Sequence, residues 1–237
     1  MTKFRKWERS ENKLYLFEFF INFHLISGIY IPFFLNWGNL TFVEVMFIQS
    51  YFTIMVLVFE NLCGAFADYF SRKFALLIAG ISKILVALIY SSYPSIFIFL
   101  IGETLWAFTA ALISGTDQSI LYDYLKIYGQ EEKVSEKIAK MQIFILMGIA
   151  VSAPIGSLIA EFISLPAVMF FMCIPFAIGT VMVLLIKEPY FFGEDTEKQS
   201  YFHITKSGFT LNIFLSHKHP FNINNNRVRV LKKYTFC

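Results

Sequence analysis

Six long apolar runs, spanning 14–35, 40–67, 74–91, 95–121, 141–164 and 166–186, constrain this chain more than any other feature. A helix needs about 20 mostly apolar residues to cross a hydrocarbon core about 30 Å thick. No run alternates with a period of two, and all exceed the length of ordinary strands, so helices are expected. Charged residues make up only 16% of the chain, where a water-soluble domain carries about 25%. Much of the surface therefore faces something other than water. The first run is longer than a signal-peptide core and no small-residue cleavage site follows it, so it is read as a retained helix. The pattern predicts an all-α polytopic membrane protein, a bundle of six transmembrane helices.

Orientation follows from the basic residues in the short connections. Lys3, Arg5, Lys6, Arg9 and Lys13 precede the first run, and none lies at 36–39. Arg72 and Lys73 follow the second run, and none lies at 92–94. Lys126, Lys133, Lys137 and Lys140 follow the fourth, none lies near Leu165, and Lys187 closes the sixth. The alternation has no exception and predicts both termini in the cytoplasm. It divides the chain into a cytoplasmic N-terminus (1–13), a six-helix bundle (14–189) and a cytoplasmic segment (190–237). The net charge of +3 is too small to suggest a nucleic-acid partner. Cys63, Cys173 and Cys237 follow no metal or disulfide spacing, and the first two read as packing residues.

The second connection reads GAFADYFSRK (64–73) and gathers three charges at one short break. It resembles the signature of the major facilitator superfamily, Gly-x-x-x-Asp-x-x-Gly-Arg-Lys. Gly64, Ala67, Asp68, Arg72 and Lys73 match, while Tyr69 replaces a basic residue and Ser71 the second glycine. SGTDQSILYDYL (114–125) and the KEP triplet (187–189) agree with the same family. The resemblance covers residues 10–190 and corresponds to the N-terminal six-helix half of that fold. It implies a multi-pass protein of the cell (cytoplasmic) membrane that moves a small solute by alternating access, with proton-coupled drug or metabolite efflux as one form. It implies no cofactor and no catalytic or metal residues. Its partners would be the lipid bilayer, a small solute, protons, and the missing C-terminal half or a second copy. Gly64, Asp68, Arg72 and Lys73 become a cytoplasmic gating motif, against the simpler reading that Arg72 and Lys73 only enforce topology.

Ionisable residues within a membrane are costly and usually face protein or water. Glu18, His24, Glu60, Lys83, Glu103, Asp117 and Glu161 are of this kind. Lys83 and Glu103 flank the hairpin at Pro94. At about 1.5 Å per residue both fall about 13–17 Å from the turn, near the midplane. An intramembrane ion pair is expected, either locking the hairpin or coupling transport to protons or solute. Glu60, Asp117 and Asp123 are expected to form a charge network with Asp68 and Arg72 or with the lysines that follow. His24 reads as a packed hydrogen-bonding residue or a proton relay. Gly148, Ser152, Gly156 and Ala160 recur every four residues, a ridge that permits close helix approach.

After Pro189 no further run is long enough to span. The basic ending INNNRVRVLKKYTFC leads into no seventh helix. Three readings follow: a truncated transporter inactive as it stands, a genuine half-transporter acting as an oligomer, or a six-helix membrane enzyme or sensor. The last has little support, because no HExxH, nucleophile elbow or phosphate-binding loop is present and the sole His cluster is His217-x-His219.

Overall fold

The computed structural model describes residues 2–69 and 71–186; within its helices, the side chains of 2–9, 61, 64, 65 and 67–69 are not described. The segment 190–237, the KEP triplet and the side chain of Asp68 thus lie outside the described residues. Every regular element among the described residues is helical: α1 (Thr2–Ile21), α2 (Tyr30–Pro32), α3 (Phe42–Tyr69), α4 (Arg72–Ser92), α5 (Ile96–Ile113), α6 (Thr116–Ile127), α7 (Val134–Phe162) and α8 (Leu165–Leu185), with short 3-10 and π turns between them.

Helix starts follow local chemistry. Thr41 and Glu44 close a reciprocal box before α3: the Thr41 N–H donates to Glu44 Oε2 at 2.8 Å, and the Glu44 N–H donates to Thr41 Oγ1 at 3.3 Å. Ser71 caps α4 by accepting from the Phe74 N–H at 3.1 Å. Among the described residues, five helical stretches are long and apolar enough to span: Phe42–Glu60, Arg72–Ser92, Ile96–Ile127, Glu131–Phe162 and Leu165–Leu185.

The first apolar run differs from the continuous helix expected of it. α1 stops at Ile21, a 3-10 turn covers Leu25–Gly28, and a π turn covers Phe33–Trp37. Asn22 initiates the break, its side-chain amide donating to the Glu18 carbonyl at 2.9 Å alongside its own backbone N–H at 3.2 Å. Irregular backbone at membrane depth persists only where protein or a cavity satisfies it, and α7 supplies the cover. The small-residue ridge faces this segment: a Cβ on Gly148 would collide with the Phe19 carbonyl, and one on Gly156 with that of Leu25. Gly148, Ser152 and Gly156 are the buried positions of α7 beside Met141.

α4 packs most extensively against α8 and α5, α3 against α5, and α1 between α7 and α8. The α4–α8 seam is tight, because a Cβ on Gly80 would overlap the Thr180 side chain. Coverage is uneven. Only 11% of the α3 span and 17% of the α7 span are buried, against 50% for α4 and 44% for α8. α3 and α7 therefore present large apolar faces, including Phe47, Ile54 and Leu57 on one and Leu146, Val151 and Leu158 on the other.

Candidate functional site

The break after α1 leaves the Ile21 carbonyl without its helical partner. Lys83, buried on α4, donates its Nζ to that carbonyl at 2.9 Å and lies 3.0 Å from His24 Nε2. The same nitrogen sits 5.6 Å from the Trp106 ring centre and 5.3 Å from that of Phe176. The expected Lys83–Glu103 ion pair is not formed. The helix break instead offers Lys83 a carbonyl and an imidazole on the α1 side. Glu18 is the carboxylate whose charge acts on Lys83. Glu18 is buried, with one oxygen accepting from the Asn22 amide at 3.2 Å and the other without a hydrogen bond.

Glu103 belongs to a different enclosure. A cavity of about 230 Å³ opens between the broken segment and the helices α3, α4 and α5, lined by His24, Tyr30, Gln49, Tyr90, Glu103 and Trp106 among others. Its walls are mainly apolar. Gln49 donates to the Tyr30 hydroxyl and lies 3.4 Å from Glu103 Oε1. Tyr90, only 1% exposed, faces Glu103 with its hydroxyl but makes no hydrogen bond of good geometry. Tyr51 and Thr104, 2.7 Å apart, tie α3 to α5 beside this site. A mostly apolar pocket with a few convergent polar groups is the usual form of a small-molecule site.

The opposite end of the bundle carries the charges. Arg72 pairs with Asp123 and donates to the Ser119 carbonyl at 3.3 Å, joining α4 to α6. Lys73 donates to the carbonyls of Leu184 at 2.9 Å and Ile186 at 2.6 Å, and Lys13 to that of Leu185 at 2.8 Å. Two lysines thus cap the C-terminus of α8, where orphan carbonyls and the helix dipole favour cations. Lys137 on α7 meets Glu11 on α1 at 2.6 Å, and the Tyr15 hydroxyl donates to the same carboxylate at 2.5 Å.

The expected charge network is therefore partly reassigned. Asp123 joins Arg72. Asp117 is buried in the first turn of α6, after the left-handed Gly115 (φ 75°), and acts electrostatically on Glu18. Glu60 departs from the expectation: it is exposed and has no hydrogen bond or ion pair among the described residues, because its position on α3 faces outward. Gly64 lies within α3, and Lys73 serves α8. Tyr30, Gln49, Tyr90 and Trp106 were not anticipated. Their one sequence signal is that polar-edged side chains interrupt apolar runs near the depth of Glu103.

Comparison with curated proteins returned no match. The family model described as Major Facilitator Superfamily matches residues 14–222, most of the chain.

Proposed function

This chain belongs to the major facilitator superfamily of membrane transporters, and we propose that it moves a small solute by alternating access through the cavity beside its broken first span. The observation that carries this reading is that cavity: lined by four spans, mainly apolar, and holding an acid that faces a buried tyrosine hydroxyl. Midplane sites next to discontinuous helices are a recurrent solution in transporters. In the proposed orientation both termini lie in the cytoplasm of a cell-membrane protein, and the cavity opens outward. The charged end, with Asp68, Arg72, Lys73 and Asp123, then closes the cytoplasmic side while the outer side is open. Glu18 and Asp117 are the interior carboxylates placed to carry protons if transport is proton-coupled.

A second six-helix body completes the pathway. The weakly covered faces of α3 and α7 favour this requirement, whether a separate C-terminal half or a second copy supplies it. By this reading the single chain alone transports nothing.

Cysteine accessibility tests the proposal. In a background without Cys63, Cys173 and Cys237, Ser27→Cys at the exposed cavity mouth should react with an impermeant maleimide on intact cells. Lys133→Cys should react only after permeabilisation. The reverse pattern would sink both the orientation and the outward cavity.

A further inference from the structure

We infer that the cavity selects a small organic cation, an aryl- or alkylammonium ion, with Glu103 as its counter-charge. The inference rests on the transport reading for the site's role, and on the cavity's own chemistry for the ligand.

The acid is the first observation. Glu103 is 5% exposed and lines the cavity, and the one basic side chain expected to neutralise it is engaged elsewhere. Lys83 holds the Ile21 carbonyl and His24, close to the Trp106 and Phe176 rings, and does not line the cavity. Gln49 and the tyrosines are neutral donors. A buried carboxylate normally has a cation or a full set of hydrogen bonds, and an incoming ammonium would complete this one.

The second observation is the Tyr90 hydroxyl, buried at the same wall and facing Glu103 with no hydrogen bond of good geometry. A buried polar group left unsatisfied costs about 1–3 kcal/mol and calls for an explanation. An ammonium ion carries more than one N–H and can donate to both Glu103 and Tyr90, which line the same space. The third is the aromatic wall. Tyr30, Phe52, Tyr90 and Trp106 line one small space, and aromatic faces attract cations within about 6 Å of the ring centre. An anionic solute would meet Glu103 with no lining Lys or Arg.

Equilibrium dialysis of radiolabelled 2-phenylethylammonium against the full chain in lipid nanodiscs tests this, with 2-phenylethanol and phenylacetate as neutral and anionic counterparts. The cation should bind at least tenfold more tightly than either. Glu103→Gln should lose at least tenfold in cation affinity while leaving the alcohol unchanged, and Glu132→Gln in the exposed turn before α7 should alter neither. Equal affinity for the alcohol, tighter binding of phenylacetate, no saturable cation binding, or an assembled Glu103→Gln protein with wild-type affinity would each overturn the inference. The selectivity of the unsubstituted chain decides even where Glu103→Gln fails to assemble. Dialysis needs no translocation. A chain that binds the cation but fails the cysteine test keeps this inference and loses the transport reading; the converse loses only the inference.

Discussion

The two ends of this bundle treat charge in opposite ways. At the end bearing Arg72, basic groups of α1, α4 and α7 meet a carboxylate or the carbonyls that terminate α8. At the cavity end, Glu103 has only neutral neighbours, and the Tyr90 hydroxyl that faces it makes no hydrogen bond of good geometry. The first arrangement stabilises one packing of the helices. The second leaves interaction capacity unused, which lowers stability and is useful only where something binds. Substitutions at the two ends should therefore move stability in opposite directions.

The largest effect is expected at Glu11. Its carboxylate is 4% exposed and holds both Lys137 and Tyr15. Breaking a buried pair by removing one partner costs about 3–5 kcal/mol. Lys137 is 20% exposed, so water recovers part of this, and about 2–3 kcal/mol is expected for Glu11→Gln. Arg72→Gln should cost less, about 1–2 kcal/mol, because that pair is 31% and 20% exposed. Unfolding in mixed micelles with increasing SDS measures both. A Glu11→Gln protein as resistant as the original would erase the contrast between the ends.

The cavity end should respond the other way. Tyr90→Phe removes a hydroxyl that faces Glu103 without a hydrogen bond of good geometry, so stability should stay level or rise by up to about 1 kcal/mol. Cation affinity should fall severalfold in the same protein. Destabilisation by more than about 1 kcal/mol would mean that the hydroxyl is already satisfied, and the two ends would no longer differ in kind.

Much of this plan was legible before any coordinates. Apolar run length marked five of the six expected spans among the described residues, because bilayer thickness sets a minimum that few soluble segments reach. The ridge of Gly148, Ser152 and Gly156 was legible as a close-packing surface, though its partner, the backbone of α1 and the 3-10 turn, was not. Hydropathy could not reveal the break after Ile21, since the run stays apolar through it. The local signs were Asn22, Gly28 and Pro32, which matter only when a neighbour can cover the freed backbone. Glu60 shows the same gap: sequence position set its height on α3 but not the side it faces.

The smallest expected effect bears most directly on how charges are assigned within the bundle. Matched depth predicted that Lys83 and Glu103 pair, but depth specifies height along a helix and leaves the direction around it open. The break at Ile21 decides that direction by exposing a carbonyl 2.9 Å from Lys83 Nζ. A double-mutant cycle between Lys83→Met and Glu103→Gln should therefore give a coupling below about 0.5 kcal/mol, as for sites that share no contact. The cycle between Lys83→Met and Glu18→Gln should exceed it, on the order of 1 kcal/mol, because Glu18 is the carboxylate whose field reaches Lys83. If the order is inverted, Glu103 already has its cation. The cavity end would then be as neutralised as the charged end, and no ammonium ion would be needed to complete it.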